Sequence, residues 1–221
     1  MKRSQINSAI RRAKELLAAH GWVLPEWAAW DADEYSARPE VANWLHTHQM
    51  GWDITDFGSG RFARRGLGLF CLRNGIQSES GSCPYAEKLL FVGEGQETPF
   101  HAHKVKMEDI INRGGGELIL AFRQPEGITA PIRLRRDGMR VHLEPDEPLC
   151  LSPGQSVTIP RGLYHRFYAK PGTGMVLGGE ISQVNDDGSD NCFLEPLGRF
   201  ATIEEDQPGL HPLWNEVGST A

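Results

Sequence analysis

The chain has 221 residues, of which 39% are hydrophobic and 24% charged, and its net charge is −6 at neutral pH. That length can bury one substantial core or two small ones, and the composition is that of an ordinary globular protein. The negative balance argues against a general nucleic-acid surface, and no run of about 18 apolar residues offers a membrane span. The opening Met1-Lys-Arg-Ser-Gln-Ile-Asn leads into an amphipathic pattern rather than an apolar signal core, so a cytoplasmic protein is expected. Cys71, Cys83, Cys150 and Cys192 show no C-x-x-C spacing. They are expected to be reduced and partly buried, not joined as disulfides.

Residues 4 to about 20 read as a helix capped by Ser4. Ile6, Ala9, Ile10, Ala13, Leu16 and Leu17 recur at helical spacing, and Gly21 and Pro25 supply the stop. Residues 26–50 carry Trp27, Trp30 and Trp44 with a second helical patch at 41–48. This segment is expected to cover one face of the remainder or to contribute to a dimer contact. His46-x-His48 imitates a metal pair, but on a helix positions i and i+2 point apart.

From Gly51 the character changes. Residues 51–60 read as turn-rich, and short β-type runs follow at 67–72, 86–92, 117–122, 131–134, 157–159, 165–168 and 175–181, punctuated by glycine and proline. The pattern predicts a mainly β sandwich or barrel over 51–221, carrying an N-terminal helical extension over 1–50, as one folded unit. The tail from Glu204 has no strong period, and Glu204-Glu205-Asp206 reads as a solvated turn.

The chemistry concentrates in His101-Ala-His103-Lys-Val-Lys106-Met-Glu108, read together with His165. Three imidazoles and a carboxylate suit a borderline divalent transition metal. On a strand, His101 and His103 share a face, whereas Glu108 has the opposite parity. A turn or bulge between them is therefore needed to return the carboxylate to the site. Downstream, Pro160-Arg-Gly162 is a turn signal that starts the next strand with His165 pointing inward. Gly114-Gly115-Gly116 is expected to make a tight turn between strands, since no helix-and-lysine context supports a phosphate loop.

Both halves resemble the two cupin motifs: His-x-His then Glu then glycine, and Gly154, five residues, Pro160-x-Gly162, two residues, His165. The asparagine often found four residues after the last histidine is Ala169 here. The stretches Tyr85-Ala-Glu87-Lys88, Lys106-Met-Glu108-Asp109, Pro-Arg-Gly-Leu-Tyr-His165 and Gly179-Glu180-Ile-Ser-Gln-Val-Asn185-Asp186-Asp187 look like the bacterial D-lyxose isomerase family of the cupin superfamily. So do Gly51-Trp-Asp-Ile-Thr-Asp-Phe-Gly58 and Leu72-Arg-Asn-Gly75. The resemblance spans nearly the whole chain. It implies a cupin jelly-roll barrel, dependence on Mn²⁺ or another divalent transition metal, a homodimer, and a ketol-isomerase that interconverts D-lyxose and D-xylulose, with D-mannose and D-fructose as a second pair.

Such an enzyme moves a hydrogen between C2 and C1 and a proton between O1 and O2, work that a positioned base and acid perform. Lys106, Glu180, Asp186, Asp190 and Glu195 are the candidates for this work; Lys106, matched to the family, is the expected proton donor to sugar oxygens, and Glu195 the preferred carboxylate base. Lys88 sits between apolar Ala86 and Leu90 on its strand face, and Glu180 follows a buried-looking run; neither is tolerated inside without a partner. They are assigned to the sugar hydroxyls together with Asp186 and Asp190, from a polar loop at 185–191 that has the look of surface but is placed to cap a barrel mouth. Trp52, Tyr85, Phe100 and Tyr164 are candidates for stacking on the sugar. Two competing classes use the same ligands: an Fe²⁺ cupin dioxygenase, which would consume oxygen, and a non-catalytic sugar-binding cupin, which would not convert its ligand.

Overall fold

The computed structural model describes residues 1–218. Helix α1 (Arg3–Ala19) opens the chain, followed by α2 (Ala32–Ser36) and α3 (Pro39–Thr47). Thirteen strands follow among the described residues. Those of the larger sheet are β1 (Gly51–Thr55), β2 (Leu67–Arg73), β3 (Tyr85–Val92), β5 (Glu108–Gly115), β7 (Ile132–Arg136), β8 (Met139–Leu143), β10 (Ser156–Ile159) and β12 (Val176–Gln183). They lie in the order β1-β2-β3-β12-β5-β10-β7-β8. The smaller sheet comprises β4 (His101–His103), β6 (Leu118–Arg123), β9 (Leu149–Leu151), β11 (Tyr164–Ala169) and β13 (Asn191–Phe193), in the order β13-β4-β11-β6-β9. Every strand pairing is antiparallel. The two sheets face each other as a cupin-type barrel, mainly β as the glycine-punctuated runs predict.

Alternation along the strands divides the molecule into two packed layers. On the inner faces, Leu69, Leu90, Ile110, Val157 and Val176 of the larger sheet meet Leu118, Leu120, Phe122, Leu149 and Phe167 of the smaller. On the outer face of β1, β2, β3 and β12, Trp52, Ile54, Phe70, Leu89, Phe91 and Leu177 pack under Ile6, Ile10, Ala13 and Leu17 of α1. Ile6 and Ile10 are wholly removed from water, and each such burial stabilises by about 1.5–3 kcal/mol. Trp27 stacks on Phe70 at 5.0 Å, and the Trp52 indole N–H donates to Ala28 O at 2.9 Å, so the tryptophan-rich extension is fastened to the sheet.

Four local expectations change. Ser4 lies inside α1, not at its cap: its backbone N–H and hydroxyl both donate to Asp206. The chain around 204–206 is thereby tied to the helix, with Glu205 on the Arg3 guanidinium, instead of forming a free turn. Residues 51–55 are a strand, because Asp53 and Thr55 are buried and find polar partners from the tail, Arg199 Nη2 and Arg199 O. The glycine triplet does more than turn. β5 crosses from the larger sheet towards β6 there, and Gly115 has φ +80° with space for a Cβ only 2.2 Å from Met175 O. A side chain at that position has no room.

Candidate metal centre and active-site cavity

Two elements of the smaller sheet and one of the larger converge inside the barrel. His101 and His103 share the inner face of β4, and His165, the first inward residue of β11, sits directly opposite His101 in the register. Glu108 starts β5 in the facing sheet, paired with Ser182 and Ile159. The parity problem is thus solved by a change of sheet: the 104–107 connection carries the chain from one layer to the other, so Glu108 points back at the histidines. Gly162, at φ +78°, ends the preceding turn and donates its N–H to His103 O at 2.9 Å, locking β11 against β4.

One nitrogen from each of the three histidines lies within 4.8 Å of the other two, a grouping able to hold a metal ion. On the outer side, His101 Nδ1 meets Pro99 O at 3.0 Å and His165 Nδ1 meets Leu163 O at 3.2 Å, whereas His103 Nδ1 lies 3.6 Å from Asp190 Oδ2, beyond hydrogen-bonding distance. Such outer contacts fix the ring orientation that a metal-binding histidine needs. Glu108 Oε1 lies 2.9 Å from His165 Nε2, and Glu108 Oε2 lies 3.3 Å from His103 Nε2. Glu108 Oε1, His165 Nε2 and His103 Nδ1 are buried with no hydrogen-bonding partner among the described residues. Separations near 3 Å between such atoms match the edge of a coordination shell with bonds of about 2.1 Å. The donor set therefore fits a divalent ion.

Electrostatics point the same way. Burial, reinforced by His165 and His103, pushes His101 well below the usual imidazole range, and burial likewise lowers His103. Neutral imidazole is the metal-binding form. Burial works against ionisation of Glu108, but the neighbouring His103 and Lys106 outweigh it and hold the carboxyl well below its ordinary value.

Beside the ligands runs a ladder of alternating charges. Lys106 Nζ lies 3.1 Å from Glu108 Oε2 and 2.5 Å from Glu180 Oε1; Lys88 Nζ lies 3.5 Å from Glu180 Oε1 and 3.9 Å from Asp187 Oδ1. Arg199 Nη2 continues it, 3.1 Å from Asp187 Oδ2 and 2.7 Å from Asp53 Oδ2. Asn185 Oδ1 accepts from Lys88 at 2.8 Å and from Lys106 at 3.2 Å. All of these side chains are almost withdrawn from solvent, where an ion is tolerated only when paired. Lys106 is accordingly held charged: burial opposes this, but Glu180 and Glu108 raise its pKa. Except for Asp53, the ladder lines one wall of a cavity that also holds His101, His103 and Glu108. Phe57, Leu69, Leu90, Ile110, Phe167 and Phe193 line the rest. A larger groove of about 920 Å³, beside Trp44 and Arg73, lies away from all of these groups.

Of the residues singled out from sequence, His101, His103, Lys106, Glu108, Lys88 and Glu180 line this one cavity and His165 adjoins it. Asp190 sits behind His103 and accepts from the backbone N–H of Val105 and Lys106, so it shapes the ligand loop and does not line the cavity. Asp186 lies on the outer side of the loop, accepting from Gly188 N, Ser189 Oγ and Gln49 Nε2. Glu195 corrects the expectation most clearly. The chain leaves the barrel after β13, and Glu195 is half exposed in an ion pair with Arg65 at 2.8 Å, outside the cavity. The aromatic candidates also lie elsewhere: Trp52 is in the outer core, Tyr85 is exposed, and Phe100 is sandwiched between Arg123 and Arg166. Tyr164 alternates with His165 and faces away from it. Asn185, Asp187 and Arg199 are the residues that sequence reasoning passed over. The first two looked like surface loop, and Arg199 has no local signal at all.

A two-sheet barrel with three inward histidines, a carboxylate and a polar wall defines a cupin with a candidate metal centre. The chain belongs to the D-lyxose isomerase family, whose model matches residues 1–217, and it is an isomerase. It is 42% identical over 226 residues to the D-lyxose/D-mannose isomerase of Escherichia coli O157:H7, covering 98% of both chains. It is 40% identical over 227 residues to that of Serratia proteamaculans, covering 97% of this chain and 95% of the relative. Among solved structures, L-ribose isomerase from Acinetobacter sp. DL28, in complex with L-ribose, superposes with a TM-score of 0.61 at 14% identity. That match covers 92% of this chain and 98% of the other, and the likeness is one of fold.

Proposed function

We propose that the chain is a metal-dependent ketol-isomerase that interconverts D-lyxose with D-xylulose and D-mannose with D-fructose. His101, His103, Glu108 and His165 would hold the ion, with Mn²⁺ as the expected occupant. The observation that carries this reading is the placement of Lys106 and Glu180, a charged acid–base pair 2.5 Å apart, on the same cavity wall as the ligand carboxylate. Bound there, a divalent ion would supply Lewis-acid polarisation of the sugar's carbonyl and make the adjacent hydrogen more acidic.

The chain's own groups then do the proton work. Glu180 replaces Glu195 as the base: it takes the hydrogen from C2 and returns it to C1, passing through an enediol. Lys106 holds a proton at the sugar oxygens and compensates the charge that develops there. Lys88 and Asn185 fix Glu180 and Lys106 in place and bind hydroxyls. The apolar remainder of the wall, with Phe57 and Phe193, keeps water from the reacting carbons. The names of the two curated relatives support both sugar pairs. A homodimer is what the family resemblance implies, and sedimentation checks it.

The test is an assay of metal-replete protein with D-lyxose, D-mannose and L-ribose, detecting ketose. Xylulose from lyxose and fructose from mannose are expected. Lack of turnover on both would remove the substrate assignment, and preference for ribose would replace it.

A further inference from the structure

Arg199 is the far end of the charge ladder and is only half used. Its Nη2 is shared between Asp53 and Asp187, whereas Nη1, also buried, has no hydrogen-bond partner among the described residues. An unsatisfied buried donor on a cation is costly, and a native site retains one where a ligand completes it. The side chain lines the same cavity as His101 and Glu108, at the opposite end of the ladder from Glu108. Asp53 and Asp187 both hold the guanidinium through Nη2, so its direction is fixed before any ligand arrives. Asp187, buried and facing Arg199, Lys88 and Lys106, stays ionised well below the ordinary carboxylate range despite the opposing effect of burial.

We infer that Arg199 Nη1 donates to the terminal hydroxyl of the sugar and sets how the chain end distal to C1 and C2 is recognised. This rests on the isomerase reading of the cavity and adds to it the determinant of the substrate's far end. A sugar placed with C1 and C2 at the histidines and Glu180 points its other end along the ladder to Arg199. A neutral hydroxyl accepts from the free nitrogen without disturbing the two carboxylates, whereas a terminal phosphate, bringing two further negative charges beside Asp53 and Asp187, is rejected.

The experiment compares D-lyxose with its 5-deoxy analogue on the metal-replete wild type and on Arg199→Lys. Lysine keeps a positive charge between Asp53 and Asp187 but lacks the second nitrogen. Equilibrium binding is measured by calorimetry alongside kcat and KM. Because the two sugars differ in their ring forms, the deciding quantity is the change in their ratio between the two proteins. Wild type is expected to prefer the parent by about tenfold to hundredfold, the range of a charge-assisted hydrogen bond, and R199K by no more than about threefold. If R199K does not fold, the double variant Asp53→Asn, Arg199→Met, which removes the cation with one of its two carboxylates and leaves Asp187 to Lys88, takes its place. Full discrimination retained in either variant overturns the assignment. Binding of the parent sugar with the expected discrimination but without turnover overturns the isomerase chemistry and leaves the recognition role of Arg199 standing. No binding of either sugar overturns both.

Discussion

The Lys106 ammonium lies 2.5 Å from Glu180 and 3.1 Å from Glu108, so one buried cation serves both a ligand carboxylate and the carboxylate proposed as base. Removing it should separate metal binding from chemistry. Lys106→Ala is expected to keep its metal and to lose about 10²–10⁴ in kcat, the usual worth of positioned acid–base catalysis. An unchanged kcat at full occupancy would remove Lys106 from the proton path.

Glu180 and Glu195 give opposite expectations for the same substitution. Glu180→Gln should lower kcat by about 10²–10⁴ with metal content retained. Glu195→Gln breaks only a half-exposed pair with Arg65 and should stay within about twofold, since exposed ion pairs are worth roughly 0–1 kcal/mol. Steady-state kinetics with D-lyxose on both variants distinguish the two residues. A large loss in E195Q would restore the base that its position argues against.

The four ligands should fail together. His101→Ala, His103→Ala, Glu108→Ala and His165→Ala are each expected to lose both bound metal, read by elemental analysis, and turnover. Any variant that keeps full occupancy takes its residue off the ligand set.

Acid stability follows from the buried groups. In metal-free protein His101, His103 and His211 have imidazoles held neutral by burial, so the unfolded chain binds protons that the native state refuses. Stability should therefore fall as pH drops below about 6.5, the ordinary imidazole value. Glu180 and Asp187 are held ionised against burial, by Lys106 and by Arg199 respectively. Their contribution is complete above the unfolded carboxylate values near 4 and is lost below them, so the decline should steepen there. Tm measured from pH 8 to pH 3 checks this, and a Tm constant between pH 7 and pH 4 would contradict it.

The turn before His165 makes a smaller prediction. Gly162 has φ +78° with open space around the position of a Cβ, so Gly162→Ala meets no clash but adopts a left-handed backbone. The expected cost is about 1–2 kcal/mol, with weakened metal retention because the Gly162–His103 bond holds β11 to β4. Thermal melts with and without metal measure both.

How much of this was readable beforehand depends on range. The apolar runs that became β2, β3, β6, β7, β10, β11 and β12 carry their own local signal, as does the spacing of the two histidine motifs. Glu108 lies beside the histidines, but its direction depends on the crossing between sheets, which no local pattern encodes. Asn185 and Asp187 looked like surface because their composition is that of a loop. They are buried because Lys88, Lys106 and Arg199, all distant in sequence, pair with them. Glu195 was misplaced for the converse reason: an acidic residue shortly after the polar loop lies beyond the strand that ends at Phe193. Strand β1 was missed because Asp53 and Thr55 break an apolar pattern that is in fact sandwiched under the tail.

The most direct test of the central claim is conversion of D-lyxose to D-xylulose by protein stripped with a chelator and then titrated with Mn²⁺. The prediction is no ketose from stripped protein and full recovery at about one ion per chain, in step with occupancy of the histidine site. Undiminished turnover in stripped protein, or none at full occupancy, would contradict it.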